Sequence, residues 1–249
     1  MTVGAPRPPL TPAAEVNGAL VRDGQAVVDA ATLAALVDVR LADLLAWRAR
    51  WNDLPSDNHL RDGGRYRQRR HSCFVVDGDA LTQVPHRPHW QSVEYNALHG
   101  GIERHFEAMP STWTAEPAWQ RLVCGLARCA SHLRGAQPWY VEAHPFRITT
   151  AGGIGRPTPE GAHRDGVDLV VVILVARQGI KGGETRVFDA DGPRGVRFTL
   201  DEPFSALLLD DHRVIHESTP IQPLDPAHEG HRDTLVLTYR ARGFQGSAA

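Results

Sequence analysis

Two stretches of the sequence place apolar residues at helical spacing. Between Ala31 and Trp51 they fall at Leu33, Leu36, Val37, Leu41, Leu44 and Trp47, which predicts one amphipathic helix. Between about Pro117 and Leu133 they fall at Trp119, Leu122, Val123, Leu126, Ala130 and Leu133; Pro117 is tolerated there because a first-turn N–H has no intrahelical partner. Both read as scaffolding. From Tyr140 onward the pattern changes to short β-rich runs: "YVEAHPFRI", "DLVVVILVAR", "ETRVFD", "VRFTL", "FSALLLD", "RVIHEST" and "TLVLTYRA". Signals such as "AGGIG", "KGG", "DGP" and "DEP" separate them. The gaps leave no room for crossover helices, which disfavours a parallel βαβ fold. The expected class is α+β, a β-sandwich or barrel with helices packed outside. Residues 1–249 read as one domain: a loose Pro-rich arm (1–14), a mainly helical support (31–139) and a β-rich core (140–242). No internal repeat interrupts this plan.

Composition narrows the partners. With 42% hydrophobic residues in 249, the protein is large and apolar enough to bury a full core. Its 27 basic and 29 acidic residues give no overall field for nucleic acid or an anionic membrane, so a small neutral or zwitterionic partner is expected. The longest apolar run, Leu169 to Ala176, is too short to span a bilayer. The start "MTVGAPRPPLTPAAE" lacks the pattern of a signal peptide. Three cysteines, Cys73, Cys124 and Cys129, without C-x-x-C spacing, indicate neither a disulfide framework nor a zinc knuckle and point to the cytoplasm. Cys124 and Cys129 sit in the second helical pattern as small core residues.

Candidate chemistry begins at "PEGAHRDGVD", residues 159–168. Its H-R-D would suit a kinase catalytic loop only with Asn five residues after the Asp; Val170 stands there, and the companion Gly-rich loop is missing. On extended backbone, His163 and Asp165 project to the same side with Cα atoms roughly 7 Å apart, so imidazole and carboxylate can meet on one ion. A third ligand would complete a two-His, one-carboxylate face. His228 and His231 lie in a loop, and His212 follows the turn-like Asp210-Asp211, which leaves His216 in "RVIHEST" as the preferred partner. Downstream, Arg232 and Thr234 share one face of a strand, a guanidinium and a hydroxyl suited to a carboxylate; the competing reading is an edge-strand Arg in a surface salt bridge.

Taken in order, "VEAHPFRI", "PTPEGAHRDGVD", "GGETRVFD", "DDHRVIHESTP" and "HRDTLVLTYR", preceded by "WNDLPSDNHLRDGGRYRQRR", resemble the iron(II)- and 2-oxoglutarate-dependent dioxygenases over roughly residues 47 to 240. Within them the likeness is to the bacterial branch that includes free L-isoleucine 4-hydroxylase and related amino-acid hydroxylases. The resemblance implies a double-stranded β-helix (jelly-roll, cupin-like) core. It implies Fe(2+) held by His163, Asp165 and His216, with 2-oxoglutarate and O2 as cosubstrates. Arg232 and Thr234 would hold the distal carboxylate of 2-oxoglutarate, and ascorbate would sustain turnover. The implied reaction is hydroxylation of a free L-amino acid, yielding succinate and CO2. The alternatives are a peptide- or carrier-bound amino acid, or a non-catalytic β-barrel binding module. The resemblance leaves the oligomeric state open.

A zwitterionic substrate needs a cation for its carboxylate and an acidic or carbonyl partner for its ammonium. Arg147 and Arg67 are candidates for the first role, Glu160 and Asp57 for the second; each has a solvated-surface reading beside it. The run Arg65, Arg67, Arg69 and Arg70 reads equally as a basic face, without the aromatic pattern of nucleic-acid binding. His144 reads as a hydrogen-bonded strand histidine rather than a cavity residue. "QGIKGGET" reads as a strand-joining turn in which Gly182 and Gly183 supply unusual backbone angles. The third-ligand assignment has a direct test: His216→Ala should abolish iron-dependent succinate release while His212→Ala keeps most of it, and the reverse result moves the ligand.

Overall fold

A computed structural model describes residues 6–246, apart from 61, 97 and 99. The elements run α1 (Val16–Asp23), β1 (Gln25–Val28), α2 (Ala30–Leu36), α3 (Leu41–Ala46), β2 (Arg67–Arg69), β3 (Ser72–Asp77), β4 (Ala80–Gln83), α4 (Ser111–Thr114) and α5 (Pro117–Arg134). There follow β5 (Trp139–Thr149), β6 (Leu169–Gln178), β7 (Ile180–Gly182), β8 (Thr185–Asp189), β9 (Gly195–Phe198), β10 (Ala206–Asp210), β11 (Val214–Ser218), β12 (Ile221–Pro223) and β13 (His231–Arg240). The large sheet has the order β1-β10-β6-β13-β5-β3-β4, with β2 also paired to β5. Every pair is antiparallel. Two smaller antiparallel sheets, β11-β8-β9 and β12-β7, complete a double-stranded β-helix.

Alternation along the central strands divides the molecule into two environments. Val141 and Ala143 on β5, and Leu235, Leu237 and Tyr239 on β13, join the apolar core beneath the helices. Glu142, His144, Phe146 and Ile148 on β5, and Arg232, Thr234, Val236 and Thr238 on β13, face a cavity instead. Among the tryptophans of the helical layer, Trp51 anchors it to the sheet by donating Nε1–H to the Phe146 carbonyl at 2.9 Å.

Three expectations need correction. The helix predicted from Ala31 to Trp51 is two helices and a 3-10 turn (Trp47–Asp53). Asp38 takes φ 54°, in the left-handed region, and breaks the helix while the apolar period continues across the break. Residues 31–139 are not mainly helical, since β2, β3 and β4 extend the large sheet from within them. The arm expected to be loose over 1–14 is tied down where it is described: Thr11 N–H donates to Val27 O at 2.6 Å, and Pro6 O accepts from Thr199 N–H at 3.2 Å. Residues 1–5 lie outside the described residues. The second predicted helix corresponds to α5, with Pro117 at its start. Gly182 and Gly183 have φ of 80° and 68°, although Ile180–Gly182 is itself a short strand.

Gly125 marks the closest approach of α5 to the α2–α3 link. A Cβ there would lie 2.8 Å from Val37 Cα. Alanine is the better helix former by about 1 kcal/mol, but overpacking against backbone costs roughly 1–3 kcal/mol. Packing should win: Gly125→Ala is expected to lower unfolding stability by about 1 kcal/mol in a urea titration, and a stabilised variant would refute the contact.

Candidate active site

His163 and His216 come together through a single antiparallel bridge outside the regular strands. His163 N–H donates to His216 O at 3.0 Å, and His216 N–H returns the bond at 2.9 Å. Residues paired this way project to one side of the ladder, and the two ring centroids stand 4.6 Å apart. Asp165 follows two residues after His163. Its backbone is clamped by Asp211, whose carboxylate accepts from the N–H groups of Asp165 (3.0 Å), Gly166 (2.7 Å) and Val167 (3.1 Å). Gly166 has φ 75°, and a Cβ there would strike Tyr95 at 2.5 Å, so glycine is required at this bend. From the far side, Gln245 Nε2 donates to the carbonyls of Asp165 and Gly166.

One donor atom each from His163, Asp165 and His216 lie within 4.8 Å of one another. His163 Nε2 to Asp165 Oδ1 is 3.9 Å, and His216 Nε2 to Asp165 Oδ2 is 3.8 Å. Those separations are too long for hydrogen bonds, so the donors face each other across a gap. His163 Nδ1 donates to Gly161 O at 2.9 Å, which leaves Nε2 with its lone pair for a metal. Burial, with the charge of His163 adding to it, holds the His216 imidazole well below its ordinary pKa and therefore neutral, as a ligand must be. Burial pushes the Asp165 carboxyl up against the pull of His163; burial and Asp165 together push Asp211 up to about 6. Glu160 adds a third carboxylate, with Oε1 3.6 Å from His163 Nε2 and Oε2 without a hydrogen-bond partner among the described residues. A divalent cation supplies the charge this group lacks, and the donor set fits iron.

A cavity of about 130 Å³ opens beside the three residues, lined by Arg67, Arg69, His89, Gln91, Arg104, Glu142, His144, Glu160, Arg232 and Thr234 among others. Arg232 is not an edge residue in a surface salt bridge. It is buried on β13, between β5 and β6, forms no ion pair among the described residues, and its Nε has no partner. Burial, and secondarily Arg177, lowers its pKa to about 10. An unpaired buried guanidinium calls for an anion.

Of the four substrate candidates, Arg67 and Glu160 face the cavity. Arg147 does not: its odd position on β5 puts it on the other face, gripping Asp233 at 2.8 and 2.7 Å and reaching Asn52. Asp57 does not line the cavity; its buried carboxylate accepts from Arg67 Nε at 2.6 Å and from His59 N–H at 2.8 Å, which fixes Arg67. Arg67 and Arg69 are buried rather than part of a solvated basic face, while Arg65 is exposed and Arg70 pairs with Glu107. His144 lines the cavity as well as being hydrogen-bonded, accepting from Arg69 Nη2 at 2.6 Å. His212 stands apart, exposed and beside Asp168.

Several site residues escaped the sequence reading: Arg69 and Arg104 as cavity cations, Gln91 as a donor to Asp165 Oδ1 at 3.0 Å, Glu142, and Asp211. Strand alternation with His144 was the available signal for Glu142, and alternation with Arg67 for Arg69. Nothing local marked Gln91 or Arg104, which sit in irregular segments joined by a single bridge at His89 and Arg104. Asp211→Ala should lower Fe(II) affinity about 10- to 100-fold by freeing the Asp165 loop, as read by anaerobic titration; an unchanged affinity would show that the clamp does not position the ligand.

The 2OG-Fe dioxygenase family model matches residues 48–238. A solved structure of a bsmA homolog from Methylobium petroleophilum PM1 is 51% identical, with 98% of this chain and 99% of that one covered and a TM-score of 0.91. IDO from Bacillus thuringiensis shares the fold at 18% identity (94% and 100% covered, TM-score 0.74). So does the Fe(II)/(alpha)ketoglutarate-dependent dioxygenase TqaL, at 19% identity (92% and 86% covered, TM-score 0.72). No curated protein matches the sequence. With its fold, its two-His, one-Asp cluster and this match over most of its length, the chain belongs to the 2OG-Fe dioxygenases, enzymes that use Fe(II), 2-oxoglutarate and O2.

Proposed function

We propose that this enzyme hydroxylates a free L-amino acid at an aliphatic C–H bond of the amino acid's side group, as the resemblance to the free L-isoleucine 4-hydroxylase branch implies. The observation that supports it is the mixed charge of one small cavity: Arg67, Arg69 and Arg104 share its wall with Glu142 and Glu160. A zwitterion can answer both signs at once. A peptide-bound residue has amides in place of its charged groups, and a carrier-bound one has lost its carboxylate. Either would leave buried charge unanswered at a cost of several kcal/mol.

In this reading His163, Asp165 and His216 hold the iron, and Arg232 with Thr234 receives the distal carboxylate of 2-oxoglutarate. When bound, iron couples oxidative decarboxylation of 2-oxoglutarate, to succinate and CO2, with oxygen insertion into the substrate. The protein's own work is positional: Asp211 and Gln245 fix the Asp165 loop, and the cavity wall orients the reacting C–H. The whole molecule acts as one dioxygenase unit in the cytoplasm, where its three cysteines, all buried and unpaired, stay reduced. Among the described residues no helix is long and apolar enough to cross a membrane.

Two experiments test the reading. Purified enzyme given Fe(II), ascorbate, 2-oxoglutarate and mixtures of proteinogenic L-amino acids should yield at least one product heavier by one oxygen in mass spectrometry; none, with no substrate-stimulated succinate, would refute the substrate class. Arg232→Ala should raise the KM for 2-oxoglutarate about 100-fold, the loss of a charge-assisted contact. An unchanged KM would remove Arg232 from that role.

A further inference from the structure

A second histidine cluster lies in the wall of the same cavity. His71, His89, Glu142 and His144 are all buried, and one donor atom from each lies within 4.8 Å of the others. Their arrangement differs from that of His163, Asp165 and His216. Glu142 Oε2 stands 2.8 Å from His71 Nε2 and 2.6 Å from His89 Nδ1, which are hydrogen-bond lengths. His144 Nε2 is 3.7 Å from the same oxygen.

Tautomers follow from Arg69. A guanidinium only donates, so the Arg69 Nη2 contact at 2.6 Å makes His144 Nδ1 an acceptor and puts the ring proton on Nε2, toward Glu142. Arg69 is fixed in turn, its guanidinium carbon 3.8 Å from the Phe106 ring centroid and 4.3 Å from that of Phe146. The His71 and His89 N–H groups donate to one oxygen of the Glu142 carboxylate, and the His144 N–H faces the same oxygen from 3.7 Å, beyond hydrogen-bond length. A metal ion would need those lone pairs free and would sit beside a buried guanidinium, so the cluster is built to hold an anionic carboxylate rather than a cation.

Glu142 Oε2 is saturated by these contacts, whereas Oε1 has no hydrogen-bond partner among the described residues, and Glu142 lines the cavity. Burial alone would push this carboxyl up; the His89 and His71 contacts outweigh it and hold the group well below the usual range. The position is close to the chemistry: His89 is two residues from Gln91, which donates to Asp165 Oδ1. Such a carboxylate, ionised and held from behind, is a receptor for a small cationic hydrogen-bond donor.

We propose that Glu142, fixed by His71 and His89, is the subsite that receives the ammonium group of the substrate. The proposal rests on the free-amino-acid reading for its ligand but names a residue that the reading does not require. It takes the ammonium role from Asp57, which is closed off by Arg67, and from Glu160, which stands against His163.

The test compares each amino acid oxygenated in the screen with its 2-hydroxy acid, which keeps the side group and carboxylate and lacks the ammonium. The holoenzyme should favour the amino acid in kcat/KM by about 100-fold or more, as expected where a buried polar group is left unanswered. In Glu142→Gln that preference should collapse to within about tenfold, and Glu142→Asp should restore part of it. A full preference retained by folded Glu142→Gln, or an equal loss on both substrates, would overturn the assignment. If no amino acid is oxygenated, the parent reading fails separately, and calorimetry of the Fe(II)- and 2-oxoglutarate-loaded enzyme with 3-methylbutylamine decides the subsite. Binding that is lost in Glu142→Gln and partly regained in Glu142→Asp sustains it. No binding, or equal binding by wild type and Glu142→Gln, overturns it.

Discussion

Buried charge must be answered inside the protein, and this requirement shapes everything on the cavity side of the large sheet. Four guanidinium groups, from Arg67, Arg69, Arg104 and Arg232, enter a space also walled by Asp165, Glu142 and Glu160. Isolated, each would cost several kcal/mol to desolvate. Most are therefore answered by the fold: Arg67 by Asp57, Arg69 by His144 and two aromatic rings, Arg104 by the Gln91 side group at 2.8 Å. Among the described residues the fold leaves without a partner Arg67 Nη2, Arg69 Nε, Arg104 Nε, Arg232 Nε and Glu160 Oε2, together with the gap between His163, Asp165 and His216. These unanswered groups define the ligands.

The two histidine clusters show how the same residue types are set to different tasks. Around Asp165, donor separations of 3.8 and 3.9 Å leave a gap, and the one ring hydrogen bond made by His163 turns its lone pair inward. Around Glu142, separations of 2.6 and 2.8 Å close the gap, and Arg69 turns a ring proton inward. Gln91 links the regions: its amide nitrogen holds Asp165 while its oxygen accepts from Arg104 and Asn96.

Much of this was legible in the sequence because alternation on a strand is a strong local constraint. Arg232 and Thr234 share the cavity face, as their spacing requires, and the strands after Tyr140 appear where β-rich runs end in Gly, Pro or Asp. The same rule, applied once the register of β5 is known, separates His144 from Arg147: position 147 pairs with Asp233 on the opposite face. What could not be read is long-range pairing. The reciprocal His163–His216 bridge, the clamp of Asp211 on three amides, and the return of Gln245 over the Asp165 loop join residues far apart in sequence through contacts with no local periodicity. The predicted long helix failed for a related reason, since one left-handed residue, Asp38, breaks it without disturbing the apolar pattern.

The proposed iron site and the Glu142 cluster differ in what they are built to hold, a metal in the first and a carboxylate in the second. Anomalous X-ray scattering at the iron edge, from crystals grown anaerobically with Fe(II), reads both places at once. A single peak is expected among His163, Asp165 and His216, with none near Glu142. A peak between His71, His89 and His144, or none at His163, would contradict it.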